Sequence, residues 1–253
     1  MRRYIYFVFL LCCAVNLLLT SCVRQKYVVM DMVHHNPGEA MTESKFLDPS
    51  FLKKNEYGAK VFFLFEAAQF GIDWKSFDPS LFPDTTEAGR WVAEKAEIIH
   101  KKYDAAKKED LQVYCMLDML VLPSLLVEKH RTELTNEQGK LDISKPYTQL
   151  CIRELMKEMF ETFPQLDGLV IRTGETYLHD APYYVGNHPV QNGMYDHITL
   201  INLLREEVCE RRNKKLFYRT WDMGQLHSIP KYYLSVTDSI EPHPNLYFSI
   251  KHT

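Results

Sequence analysis

Residues 168–175 read Gly-Leu-Val-Ile-Arg-Thr-Gly-Glu, an apolar run that ends in two charged side chains separated by Thr-Gly. Continuous apolar runs are typical of strands buried on both faces, whereas strands with one wet face alternate. An amphipathic pattern precedes this run, with apolar residues at helical spacing from Ile152 to Phe163. The segment therefore predicts a helix followed by a buried strand of a parallel sheet.

The same alternation of strand and helix extends along the chain. Further helical patterns cover residues 49–57, 92–106, 198–208 and 229–236. Strands that alternate with helices indicate βα units with parallel strands. The other runs rich in β-branched and aromatic residues, which we interpret as strands, are 27–33, 60–65, 112–117, 215–219 and 245–250.

Parallel βα units form either an open, doubly wound sheet or a closed barrel. A dinucleotide-binding open sheet has Gly-x-Gly-x-x-Gly after its first strand, but residues 34–39 here are His-His-Asn-Pro-Gly-Glu, and no phosphate-binding loop motif occurs elsewhere. The sequence therefore predicts a (β/α)8 barrel of the TIM-barrel type over residues 27–253. Only six units are recognisable, so we expect a barrel that is incomplete at its C-terminal end.

Composition excludes several classes of protein. The 253 residues are 46% hydrophobic, enough for a substantial core, and ten Gly and twelve Pro form no linker-like stretch, which favours one domain. The formal charge of −3 comes without a basic stripe, so we expect no nucleic-acid partner.

The N-terminus has the pattern of an export signal. Met-Arg-Arg precedes an apolar stretch that closes with Leu19-Thr20-Ser21-Cys22, and these four residues resemble the lipobox of bacterial lipoproteins. The resemblance implies a signal peptide at 1–21, lipidation of Cys22, a tether at 22–26 and attachment to a membrane of the cell envelope. A transmembrane anchor is the alternative, but about 17 apolar positions are at the lower limit for spanning a bilayer.

The other cysteines of the predicted mature chain are Cys115, Cys151 and Cys209. They are widely spaced, odd in number and embedded in apolar patterns, so they predict neither a disulfide framework nor a zinc site. We expect them to be small buried side chains.

Polar and ionisable residues follow every predicted strand. In (β/α)8 barrels the carboxyl ends of the strands carry the chemistry, because the βα loops meet at one face. A single residue there, such as Asp118, is often only a helix cap or a turn former, but loop structure explains poorly why all six loops supply such groups. The candidate substrate-binding residues at strand ends are His34, His35, Asp118, Arg172, Arg219, Trp221, Lys251 and His252.

Glu175 differs from the other strand-end residues because it directly follows a glycine that lets a substrate approach the backbone. A carboxylate on the floor of a cleft has its proton affinity raised by desolvation and can protonate a leaving oxygen. The loop beyond it is rich in aromatic and hydrogen-bonding groups, the surface that binds a sugar ring. Tyr177 and His179 are candidate substrate-binding residues there, and Tyr183, Tyr184, Asn187 and His188 belong to the same loop.

Three strand ends carry a resemblance to a family: residues 34–39, Arg-Thr-Gly-Glu at 172–175, and Ser-Ile-Lys-His-Thr at 249–253. They are similar to the catalytic barrel of α-glucuronidase-type glycoside hydrolases, over most of residues 27–253. The resemblance implies cleavage of glycosidic bonds in a polysaccharide or a uronate-bearing oligosaccharide, with Glu175 as the general acid. In that family the activating carboxylates come after strand six and from later in the barrel, and this sequence stops at Thr253, where that loop begins.

Glycoside hydrolysis needs a second carboxylate, about 5–5.5 Å from the first for retention or about 6.5–9.5 Å for inversion. We interpret Asp222 as the base, ahead of Asp118 and then Glu66, with Arg172, Arg219 or Lys251 holding a substrate carboxylate. Without a second carboxylate across the cleft, the chain would bind carbohydrate and not cleave it. A third hypothesis is a metal-assisted hydrolase that uses His34, Asp118 and His252, but the histidines lack the spacing of a metal site, so we expect no metal and no cofactor.

Overall fold

The computed structural model describes residues 28–31, 44–63, 66–174, 176–178, 180–220 and 226–250. In this part of the chain the strands are β1 (Met30–Asp31), β2 (Ala59–Phe62), β3 (Gln112–Asp118), β4 (Val121–Pro123), β5 (Leu166–Arg172), β6 (Tyr184–Gly186), β7 (Lys215–Arg219) and β8 (Leu246–Ser249). The α-helices are α1 (Pro49–Lys54), α2 (Glu87–Lys108), α3 (Ser124–Lys129), α4 (Arg131–Leu134), α5 (Pro146–Thr162), α6 (Met194–Leu204) and α7 (Pro230–Thr237). A π-helical segment, Arg205–Glu210, continues α6.

Six strands form one parallel sheet in the order β1-β2-β3-β5-β7-β8, which is also their order along the chain. A doubly wound sheet would reverse direction at a switch point and carry helices on both faces. Here the described helices contribute to a single core cluster against one face of the sheet. The chain therefore has the winding of a (β/α)8 barrel over six βα units, and the predicted fold class is confirmed.

The two faces of the sheet have different environments. On the helix-facing side, residues such as Cys115, Ile171 and Tyr218 join the large core with the helices. The opposite side, which we call the inner face, carries a smaller cluster made of Ala59, Val61, Tyr114, Met116 and Val170. Successive side chains of a regular strand point to opposite faces, so within each strand the residues alternate between the helix-facing side and the inner face.

Sequence patterns locate β3, β5, β7 and β8 within two residues of their observed ends, a normal uncertainty for element boundaries. The predictions 27–33 and 60–65 cover β1 and β2 but extend up to three residues beyond them, partly into positions outside the described residues. The helix predicted over 152–163 starts earlier, because Pro146 is a favourable first-turn residue, and it ends with Phe163 as its C-cap. The buried, free state of Cys115, Cys151 and Cys209 is also confirmed.

The apolar runs in the sequence did not predict a second, two-stranded sheet, in which β4 pairs antiparallel with β6. These strands have three residues each and lie in the loops after β3 and β5, so neither has a period long enough to recognise. Their pairing joins two loops at the carboxyl edge of the main sheet.

Among the described residues, no helix combines the length and the apolar composition needed to cross a membrane.

Candidate functional site

Four side-by-side residues end strands β3, β5, β7 and β8 on the inner face of the sheet. The strand register pairs Asp118 with Arg172, Arg172 with Arg219, and Arg219 with Ser249. Asp118 and Arg172 have the parity of the inner-face cluster on their own strands. Phe217, two residues before Arg219, packs against that cluster, and Tyr247, two residues before Ser249, stacks on Phe217, so the four form a row at the carboxyl edge. Three of them were predicted from the sequence, and Ser249 was missed because a serine at a strand end carries no distinctive signal.

Asp118 and Arg172 form a two-pronged ion pair within this row. Nε and Nη2 of Arg172 donate to Oδ1 and Oδ2 of Asp118 at 2.5 and 2.7 Å, and both side chains are nearly buried, 9% and 13% exposed for Asp118 and Arg172. The backbone N–H of Tyr177 donates to the same carboxylate at 2.9 Å. The guanidinium also lies 4.6 Å from the centre of the Tyr177 ring, a cation–π contact. Asp118 therefore fixes Arg172 and the start of the loop after β5.

Arg219 has a different environment from Arg172. Its one described polar contact is weak, Nη1 to the Met116 sulfur at 3.9 Å, and within the described residues no carboxylate forms an ion pair with it. Burial, followed by the positive charge of Arg172, lowers the pKa of its guanidinium. The guanidinium of Arg219 is half-buried and has lost part of its solvation by water, and the positive charge of Arg172 lies nearby. Binding of an anion beside Arg219 would replace that solvation and offset the charge.

The chain leaves β5 through a turn that requires glycine. Gly174 has a φ of 118°, a conformation that residues with a Cβ rarely adopt. Glu175 is the next residue along the chain, but it lies outside the described residues. So do these further predicted site residues: Cys22, His34, His35, His179, Trp221, Asp222, Lys251 and His252.

Part of the loop beyond Glu175 is used for packing. The Tyr184 hydroxyl donates to the carbonyl of Gln69 at 3.3 Å, and its ring is buried. Asn187 bonds through both ends of its side-chain amide to the backbone of Leu141, and its backbone exchanges hydrogen bonds with Leu120. Asn187 thus fastens the loop after β5 to the loop after β3, and Tyr184 fastens it to the segment after β2. Tyr177 is different, because it is partly exposed and lies beside Arg172.

Glu66 lies away from the row. Its carboxylate pairs with Lys102 on α2, and Lys102 belongs to the helical layer. A carboxylate on that side of the sheet is badly placed to face a substrate at the inner face. In the described ranges, no group of three or more His, Cys, Asp or Glu residues has the arrangement of a metal site.

Similarity of this chain to known proteins is found at the level of structure and not of sequence. No protein-family model and no curated protein matches the sequence. Structural neighbours include a GH138 enzyme targeting pectin rhamnogalacturonan II (14% identity, 88% of this chain, 25% of that chain, TM-score 0.45). They also include dispersin B (14% identity, 88% of this chain, 63% of that chain, TM-score 0.45). A third is a family 5 glycoside hydrolase from Prevotella bryantii B14 (9% identity, 89% of this chain, 63% of that chain, TM-score 0.45). The chain thus spans less than two thirds of each of these three proteins.

Proposed function

We propose that the chain acts on carbohydrate as a glycoside hydrolase, with its site at the carboxyl edge of the inner face. The observation that carries the proposal is the row of Asp118, Arg172 and Arg219, which the strand register brings together at the edge where barrel enzymes do their chemistry. Glu175 follows this row within three residues of Arg172 and is the proposed general acid.

The environment of Asp118 narrows the proposed roles. Both of its oxygens already accept hydrogen bonds from Arg172 or the Tyr177 amide, so we assign it a positioning role. This leaves Asp222 as the proposed base. The same bonds make Asp118 a poor ligand for a divalent cation, which disfavours the metal-assisted hypothesis.

The two arginines are proposed to have separate tasks. Arg172 is neutralised by Asp118, while Arg219 has no ion-pair partner among the described residues. A planar guanidinium binds a carboxylate with two hydrogen bonds, as a uronate group would offer. We therefore propose a uronate-bearing oligosaccharide as the substrate, with Arg219 as the group that recognises its carboxylate.

Glucuronoxylan fragments test this function directly. The wild-type chain is expected to hydrolyse them, and reducing ends are the measured product. Binding of the fragments without any cleavage would favour the non-catalytic carbohydrate-binding hypothesis. The proposal would be contradicted if the chain neither bound nor cleaved any oligosaccharide in a broad panel.

Arg219→Met is expected to raise KM for uronate-bearing fragments about tenfold or more, because a charge-assisted hydrogen bond is worth roughly 1.5–3 kcal/mol. Methyl esters of the same fragments lack the carboxylate charge and should show little difference between wild type and variant. KM values for acid and ester measured side by side give the result. An equal loss on both substrates would contradict carboxylate recognition.

We also propose that the chain is attached to the bacterial cell envelope through lipidated Cys22, on the basis of the lipobox resemblance. Cys22→Ser should abolish incorporation of an alkyne-tagged fatty acid and release the protein from the membrane fraction. Cys151→Ser, at a buried thiol, is the matched control and should keep the label. A fully labelled Cys22→Ser protein would contradict this anchor.

A further inference from the structure

Tyr177, near the start of the loop after β5, is held in place by two residues of the row. Its backbone N–H donates to Oδ2 of Asp118 at 2.9 Å. The guanidinium of Arg172 lies 4.6 Å from the centre of its ring, and two hydrogen bonds fix the same guanidinium to Asp118. Asp118, Arg172 and Tyr177 therefore form a closed triangle of contacts that holds both the backbone and the ring of the tyrosine.

The residue after Tyr177 anchors the loop on the other side. Leu178 packs against the core on the helix-facing side, and its carbonyl accepts a hydrogen bond from the N–H of Ala181 at 3.1 Å. Tyr177 itself is 37% exposed. An exposed side chain that is already immobilised loses little conformational entropy when a ligand packs against it. The ring of Tyr177 is thus preorganised for contact with a ligand.

Two other tyrosines of this loop pack in the helical layer instead. The ring of Tyr183 meets that of Trp91, on α2, edge to face, with centroids 5.8 Å apart at 74°. Tyr184 is buried, and its ring stacks on that of Phe82. Tyr177 differs from both because it is exposed and lies against the charged row.

The surroundings of the Tyr177 ring define the class of ligand that fits it. An exposed aromatic ring packs well on the flat C–H face of a pyranose, because the contact removes apolar surface from water and adds dispersion attraction. A cationic ligand is disfavoured, since the guanidinium of Arg172 already lies against the ring and Arg219 follows Arg172 in the row. These features favour a sugar ring that carries no positive charge.

We propose that Tyr177 is a substrate-contact residue whose ring is the platform for a neutral pyranose unit, with Arg172 and Asp118 as the positioning residues that hold it. The inference rests on the proposed carbohydrate site and deepens it. The site then recognises two features of one oligosaccharide: Arg219 binds the carboxylate of a uronate, and Tyr177 binds an uncharged sugar unit. Arg172 acts through Tyr177 and makes no contact with the carboxylate.

Neutral xylo-oligosaccharides test the platform separately, because they carry no carboxylate for Arg219. Tyr177→Leu is expected to weaken their binding about three- to tenfold, the size of effect that an aromatic contact has. Tyr177→Phe keeps the ring and should bind within twofold of the wild type. Isothermal titration calorimetry gives the dissociation constants. Tyr195→Leu, at a tyrosine on α6 that is 69% exposed, is the matched control and should not change binding.

Arg172→Lys tests the positioning role. The lysine keeps a positive charge beside Asp118 and lacks the planar group that lies against Tyr177. Because Arg172 acts through the ring, the variant should weaken binding of neutral and of uronate-bearing fragments by the same factor. A loss confined to the uronate-bearing fragments would show that Arg172 binds the carboxylate itself and would overturn this role.

These binding measurements need no turnover, so the platform and the hydrolase proposal fail separately. Unchanged binding by Tyr177→Leu, or an equal loss in Tyr177→Leu and Tyr177→Phe, would overturn the platform even if the wild type cleaves glucuronoxylan fragments. Binding that depends on the Tyr177 ring, without cleavage of any glycoside, would support the platform and contradict hydrolysis.

Discussion

Glu175→Gln is expected to lower kcat on glucuronoxylan fragments by about 10²- to 10⁴-fold, the usual contribution of a general acid or base. The amide keeps the size of the side chain and cannot donate a proton to the leaving oxygen. KM should change little, because the proposed contact with the substrate carboxylate comes from Arg219.

The substrate itself supplies the sharpest control for this prediction. A synthetic glycoside with an acidic phenol as its leaving group needs little protonation, so the variant should recover most of the lost rate on it. Steady-state rates on both substrates give the comparison. Equal activity of Glu175→Gln and wild type on the natural fragments would end the assignment of the acid.

Asp118→Ala is expected to destabilise the protein by about 3 kcal/mol, because it leaves the nearly buried guanidinium of Arg172 without its counter-charge. The change also removes the acceptor for the Tyr177 amide. Denaturant unfolding followed by circular dichroism measures the difference as a lower midpoint.

An exposed ion pair offers the matched control. Asp84 pairs with Lys75 at 3.1 Å, and their side chains are 79% and 50% exposed, so solvent screens the interaction. Asp84→Ala should leave the unfolding midpoint unchanged. If Asp118→Ala and Asp84→Ala unfold alike, Asp118 does not support Arg172 in the way described.

The fold follows from patterns that the sequence displays locally. Buried parallel strands are continuous apolar runs, and the described helices have an apolar side, so the succession of βα units is visible without any long-range information. The β4–β6 pair was not visible, because its two strands are short and about 60 residues apart, and only the folded sheet brings their loops together.

The sequence predicted which residues lie at the candidate site, but it did not predict which of them pair with one another. Asp118 and Arg172 are recognisable as strand ends, yet their pairing depends on a shift in register between Val113 and Tyr114. Without that irregularity Asp118 would lie opposite Ile171. Gly168 permits the close contact of β5 with β7, since a Cβ there would lie 2.1 Å from the carbonyl oxygen of Lys215. Sequence patterns do not reveal such offsets, nor that Arg172 is neutralised while Arg219 is not.

The division between the two faces of the sheet has a consequence for how this protein can evolve. At the ends of β5 and β7, neighbouring residues serve different purposes: Arg172 and Arg219 face the proposed substrate, while Ile171, Thr173 and Tyr218 face the helices. Selection for a new substrate can therefore act at Arg219, which has no ion-pair partner among the described residues, while Tyr218 beside it preserves folding. A mutant library at Arg219 should retain many more folded members than one of equal size at Tyr218, and more than one at Arg172, whose loss would leave the Asp118 carboxylate unpaired. Changes of specificity at the end of β7 are then accessible without large losses of stability.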